Sequence, residues 1–590
     1  MKKRLMAIVL AFAFIFSLAG CKTSDPAASA GGDSPVSSTE QGETTDMTGS
    51  TTDTPTTGTQ GTPSDTDSTQ PSSTPTTTRP TTVVPDTPSN GKSYISLKLA
   101  NTTAVQEHWM GHNAISQGFI FMPDSYGRAY NDKQIALELQ RMQNMELSMV
   151  RSYYEPSYAY QGKDSAGNLI WNWDSEEMQG LYKWLAAMKE RGITVALNMG
   201  WGVSDLINAN TTYMGTNPFR GMSLTDMVEA YSRWATESLR EIIVERGYTN
   251  VQYGVLFTEP SDSAVYKENG QEVTEWELYV RLTKALDARL KAEGLRGLVK
   301  LTGPQVTFKE SFSVQDKDGN TSLEQEIQWW IDRIDDYIDV YTFHWYNPRW
   351  PGQKAPSGFS LYDDNYDLYA YFYSEILRVL KPTGKEFWMD EYNYGTYNGS
   401  TRTSEIMKQP MCGPQLAQSM IAAMNSGVQN MLLWQLFATQ WPLRTNTTEN
   451  DSWSGGIHEQ GLAPCLTVSS VPHASYYAYT LASKYMGGGT ATKVYAGEGN
   501  KGIYLTMIED ANGDKSVMLV NTGMLSKDIA LHFEQPIGQD VYRHVYDPIT
   551  VKPTTAGRII PADLCFENVK TVLKDTIPAG AVVIYTTRAD

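Results

Sequence analysis

Two carboxylates stand at the ends of two strand-length, aromatic-rich runs. Glu259 closes Val255-Leu256-Phe257-Thr258-Glu259, and Glu391 closes Phe387-Trp388-Met389-Asp390-Glu391. A short apolar run reads as a buried strand. Burying it holds the glutamate at the strand's C-terminal end, where α/β barrels keep their chemistry. Two carboxyl groups can cleave a glycosidic bond: one protonates the departing oxygen while the other attacks the sugar carbon, with the pair about 5–5.5 Å apart. One strand-end glutamate alone is usually an ordinary loop carboxylate. Two in matching surroundings require a scaffold that brings residues 259 and 391 together.

That scaffold is legible as an alternation of short apolar runs with longer helical patterns, the signature of βα units. The expected strands are Gly118–Met122, Met149–Tyr154, Thr194–Met199, Gln252–Phe257, Val299–Thr302, Val340–His344, Glu386–Met389 and Met431–Gln435. Helical stretches fall between them, among them Lys133–Met145, Met178–Arg191, Leu224–Arg246, Trp276–Glu293 and Gln415–Ser426. Gly192, Gly247, Gly294, Gly384 and Gly427 each follow a helix, as C-terminal caps should. Eight such units predict an α/β fold, a (β/α)8 TIM barrel, over residues 93–488; a doubly wound open sheet is the structural alternative. After the last helix, Tyr476–Met486, short alternating strands with an Asn512-Gly513 turn predict a C-terminal antiparallel β-sandwich over 489–590. Ser93–Val105 can add a strand to it.

The N-terminus reads as an export signal over residues 1–20, with Lys2, Lys3 and Arg4 before an apolar stretch. Leu18-Ala19-Gly20-Cys21 resembles the lipobox of bacterial lipoproteins, which implies lipidation at Cys21 and an extracytoplasmic, membrane-anchored protein. Residues 22–92 are Ser/Thr/Pro-rich, with nine acidic against three basic side chains. They cannot bury enough surface to offset their conformational entropy, so 21–92 is expected to be a disordered tether. The net charge of −18 argues against nucleic acid or anionic lipid as the main partner. Cys412, Cys465 and Cys565 give no disulfide framework and no zinc spacing, although Cys412 and Cys465 could pair. With seven histidines, and none paired at ligand spacing on a helix, no metal is expected, and no nucleotide fingerprint is present.

With these pieces in place, residues 94–590 resemble the clan A glycoside hydrolases, whose acid/base ends barrel strand four and whose nucleophile ends strand seven. The resemblance implies a retaining β-glycosidase without cofactor, acting as a monomer on a polysaccharide or oligosaccharide, with Glu259 as acid/base and Glu391 as nucleophile. Glu259 must then hold a raised pKa and Glu391 stay ionised. It also implies that Tyr346 hydrogen-bonds the nucleophile and that Arg151 lies near it. His344 is expected to be a ligand of substrate or of the catalytic groups rather than a base. Trp434 resembles the tryptophan that floors the sugar site. Trp201, Trp345 and Trp441 could line further subsites, and Asn198 could contact a sugar hydroxyl. Insertions at Lys309–Ser322 and Thr396–Met411 would shape specificity.

One position departs from the clan. Thr258 stands where an asparagine usually reads the sugar 2-hydroxyl, and a threonine offers one donor in place of two. The alternative from another class is therefore a non-catalytic surface lipoprotein that binds glycan on a glycosidase-like barrel.

Overall fold

The computed structural model describes residues 80–83, 91–116, 119–122, 130–202, 211–212, 215–307, 323–346, 364–394, 408–440, 457–458, 461–463, 469–489 and 491–589. Cys21, the export signal, most of the linker, Gly118, Trp441, Cys465, Lys309–Ser322 and residues 396–407 lie outside them. Residues 77–590 form one compact unit.

Eight parallel strands close into a barrel: Gly111–Ile115, Met149–Tyr154, Thr194–Met199, Val251–Val255, Lys300–Thr307, Val340–Tyr346, Glu386–Asn393 and Asn430–Leu433. The expected first strand is corrected. It is Gly111–Ile115 rather than Gly118–Met122, and Phe119–Phe121 forms only a single 3-10 turn. His112 and Asn113 hid this strand from an apolar-run search, yet both are buried. Asn113 Nδ2 donates to Asn430 Oδ1 at 2.9 Å and to Ser148 Oγ at 3.1 Å, so the barrel's N-terminal end tolerates the amide. The five glycines expected to end helices all have left-handed backbone, from φ 68° to 100°.

The two strands that flank the sixth each carry one residue more than it does. Against the sixth strand, Thr342 pairs with Pro304 and Phe343 with Val306, leaving Gln305 over. Likewise Phe343 pairs with Met389 and His344 with Glu391, leaving Asp390 over. Such bulges break the two-residue alternation and re-aim side chains. Both extra residues are buried.

The C-terminal region forms a ten-stranded, largely antiparallel sheet that also takes in Thr81–Val83 and Ile95–Leu99. Ile95–Leu99 lies between Lys493–Glu498 and Lys527–Phe533, parallel to the latter. Thr81–Val83, expected in the linker, pairs in parallel with Leu564–Phe566. Leu97, Leu519, Leu531 and Val583 share one core beneath this sheet. It joins the barrel through Asn425 Nδ2, which donates to Leu505 O at 3.0 Å, and through stacked Tyr366 and Tyr504 rings 4.0 Å apart. Gly488 sits where an added Cβ would lie 2.0 Å from the Met110 carbonyl carbon. Burial pushes the Cys412 thiol up to about 12. Among the described residues no helix is long and apolar enough to cross a membrane.

Candidate active site

Successive strand ends deliver the expected side chains to one face of the barrel. Arg151 comes from the second strand, Asn198 from the third, His344 and Tyr346 from the sixth, and Glu391 from the seventh. Thr258 and Glu259 follow the fourth strand directly. Glu259 has a left-handed backbone, φ 52°, a conformation few non-glycine residues adopt. The Thr258 N–H donates to Trp201 O at 2.7 Å and the Glu259 N–H to Gln305 O at 3.2 Å, which hold that turn.

The two glutamates meet around His344. One oxygen of each carboxylate and His344 Nδ1 lie within 4.8 Å of one another. His344 Nδ1 is 3.0 Å from Glu259 Oε1 and 3.5 Å from Glu391 Oε2. Glu391 accepts from Tyr346 OH on Oε1 and from Arg151 Nη1 at 3.2 Å on Oε2. Glu259 Oε1 also accepts from the Thr307 hydroxyl. The Glu259 side chain is 42% exposed, that of Glu391 only 7%.

Arg151, 1% exposed, is the hub. Its guanidinium donates to Glu391, to Asp390 O at 3.1 Å, to Tyr153 OH at 2.8 Å, to Gln305 Oε1 at 3.2 Å and to Thr258 Oγ1. The Thr258 hydroxyl itself donates to Gln305 Oε1 at 3.1 Å. Gln305 Nε2 in turn donates to Asp390 Oδ2. The permanent charge of Arg151, 3.2 Å from both Glu391 and His344 Nε2, opposes a divalent cation at this place.

The electrostatics of the site run against the expected order. Burial works to raise Glu259, but the hydrogen bond and charge of His344, the Thr307 hydroxyl and Arg151 hold it below the ordinary glutamate value. Burial raises Glu391, and repulsion from Glu259 adds to this against the pull of His344, Arg151 and Tyr346. Burial alone would lower His344; Glu391, Asp390 and Glu259 overcome it and raise the imidazole.

Several expected contacts resolve differently. Asn198 is fully buried: its Oδ1 accepts from Arg151 Nε at 3.3 Å and its Nδ2 donates to Gly200 O. It holds Arg151 and is not open to a sugar. Trp345 is a core residue stacked 4.0 Å from Phe372, on the opposite side of its strand from His344 and Tyr346. Trp434 does border the site, but it is 4% exposed. It packs edge-on to Tyr153 and against half-buried Trp201, 5.7 Å away. The aromatic surface nearer solvent belongs to Trp201. Gln305, Thr307, Tyr153 and Asp390 are members of the network that strand-end reading did not select.

No protein-family profile matches the chain, and no curated protein does. Solved structures do resemble it. A family 30 endoxylanase from Clostridium papyrosolvens aligns over 84% of this chain and 100% of its own, at 14% identity and a TM-score of 0.51. A family 39 enzyme from Xanthomonas axonopodis pv. citri covers 84% of this chain and 97% of its own, at 12% identity and 0.53. A family 51 α-L-arabinofuranosidase from Bifidobacterium longum covers 84% and 99%, at 12% identity and 0.53. The fold is thus a glycosidase-like barrel. These neighbours are glycoside hydrolases of clan A, and at such identities the likeness is one of fold.

Proposed function

We propose that this protein is a retaining glycoside hydrolase acting on a polysaccharide or oligosaccharide. What carries the reading is the meeting of two strand-end glutamates within 4.8 Å, one bound by Arg151 and Tyr346 and the other half-open to solvent. The approach of both glutamates to one imidazole nitrogen suits the close pair of a retaining enzyme better than the wider pair, roughly 6.5–9.5 Å between carboxyl groups, that admits a water.

In this reading Glu391 attacks the anomeric carbon while Glu259 protonates the leaving oxygen. Glu259 then takes a proton from water, which hydrolyses the glycosyl-enzyme. Among the described residues the donors to Glu259, Thr307 and His344, both reach Oε1, which leaves Oε2 for the leaving group. A bound sugar removes solvent from half-exposed Glu259 and raises it. Glu391 is already buried and loses little more. Arg151 and Tyr346 stabilise its charged form through hydrogen bonds to both oxygens.

The protein is exported, lipidated at Cys21, held outside the cytoplasmic membrane on the linker that precedes Thr81–Val83, and works as a monomer without cofactor. The ten-stranded sheet is an accessory β-sandwich. Thr258 favours one rival, a glycan-binding lipoprotein without activity, because its hydroxyl is committed to Arg151 and Gln305. Product release from a panel of β-glycans separates the two, with wild type and Glu391→Gln side by side. Cleavage by wild type alone, with the first product keeping its anomeric configuration, supports the hydrolase. Binding by both without cleavage supports the rival.

A further inference from the structure

Asp390 has no assigned part in the reaction, yet it is built into the centre of the site. Alternation along a regular strand would send the side chains of Asp390 and Glu391 to opposite faces. The extra residue in the seventh strand turns both inward, and both are buried. The extra residue in the fifth strand does the same for Gln305, whose amide donates to Asp390 Oδ2. Two bulges thus converge, across the sixth strand, beside His344. Arg151 Nη1 stands 3.7 Å from the same Asp390 Oδ2. The other oxygen, Oδ1, is buried, has no hydrogen-bond donor among the described residues, and faces His344 Nε2 at 3.5 Å.

His344 Nε2 also lies 3.2 Å from Arg151 Nη1, so two opposite influences compete at one ring nitrogen. The guanidinium favours a bare Nε2 that accepts a hydrogen bond. The Asp390 carboxylate favours a proton there. The remaining charged groups facing the ring are Glu259 and Glu391, both at Nδ1. Gln305 and Thr307 from the fifth strand and Tyr346 from the sixth are neutral. Three carboxylates against one permanent cation is a poor balance in a buried site. An imidazolium between the two glutamates improves it.

We propose that Asp390 is a positioning residue, acting through His344: its bulged carboxylate keeps the imidazole charged and aligned between Glu259 and Glu391. The inference rests on the proposed hydrolysis for its catalytic consequence but not for the state of the ring. The raised affinity of His344 for its proton agrees with it. With Asp390 removed, Arg151 alone faces Nε2, the ring turns neutral, and Glu391 loses a nearby cation that helps to keep it ionised for attack.

The first test needs no substrate. Imidazole NMR of the full chain, with the His344 signal assigned by its loss in His344→Gln, should show wild-type His344 titrating above the ordinary value of about 6.5. Asp390→Asn should lower that midpoint by about one pH unit or more, the usual effect of losing a close opposite charge. A wild-type midpoint below the ordinary value, or an unchanged one in Asp390→Asn, overturns the proposal. The second test uses activity. Asp390→Asn should lower kcat by about 10-fold or more with KM within about 2-fold, the pattern of an interaction felt in the transition state. In a His344→Gln background the same substitution should add almost nothing. Losses that multiply overturn the action through His344. If no glycan is cleaved by wild type, the hydrolase reading fails while the NMR result still decides the role of Asp390.

Discussion

Tyr346→Phe removes one oxygen from the site and changes little else. The phenol donates to Glu391 Oε1 while Arg151 covers Oε2, so the variant leaves the carboxylate with half of its support. A hydrogen bond to a charged group contributes about 1.5–3 kcal/mol. At about 1.36 kcal/mol per factor of ten, kcat/KM should fall roughly 10- to 100-fold. The bond also favours ionised Glu391, and its loss adds to the effect of burial, which already raises this group. Since the nucleophile must be ionised, the acidic limb of the pH profile should move to higher pH. The assay is hydrolysis of an aryl glycoside, chosen from the sugar that the panel identifies, across the acid range. Thermal unfolding of both proteins checks that the fold is intact. A variant within about twofold of wild type, with an unmoved acidic limb, would refute the role given to Tyr346.

Other substitutions probe the network and the frame around it. Arg151→Met leaves Asp390 and Glu391 buried without their cation and should cost about 3–5 kcal/mol by urea unfolding; Arg151→Lys, which keeps the charge, should cost less. Glu259→Ala should slow glycosides with poor leaving groups far more than activated aryl glycosides, and equal losses on both would count against its acid role. Gly488→Ala drives a Cβ into the backbone of Met110 and Gly111, whereas at Gly489 the nearest atom is Thr492 Oγ1 at 3.9 Å. Only the first should lower the melting temperature clearly, by the equivalent of about 1–3 kcal/mol. Glu138 is pushed up to about 8 by burial, partly opposed by Arg141, from an ordinary 4.5. Its folded value lies above its unfolded one, so stability should fall as pH rises through that window, by up to several kcal/mol. In Glu138→Gln the urea midpoint should vary less between pH 5 and 8.

The strand ends were readable because burial of an apolar run is a local property. Leu256 and Phe257 lead to Glu259 much as Phe387 to Met389 lead to Glu391, and His344 and Tyr346 follow from the alternation of their strand. The same alternation, carried one step further, excludes Trp345. Gln305 and Asp390 were not readable. Their inward aim depends on which residue of a neighbouring strand they oppose, and pairing register is not written in either strand alone. The first strand was missed because Asn113 and His112 look like loop residues until the barrel supplies partners for the amide. The acidities of Glu259 and Glu391 depend on distances to His344 that no spacing in the chain conveys.

Ile95–Leu99 gives the molecule a seam between its beginning and its end. The Asn101 side chain donates to Gln535 O at 3.1 Å, across 434 residues of chain. During synthesis this strand leaves the ribosome early and must wait until Lys493–Glu498, and then Lys527–Phe533, emerge to pair with it. An exposed edge is a template for wrong partners, and long-range closure is slow. The barrel, complete by residue 433, can form in the interval and hold the waiting segment close to where it will dock. A chain cut short after the barrel would therefore leave Leu97 and Leu99 with no counterpart, whatever the state of the catalytic face.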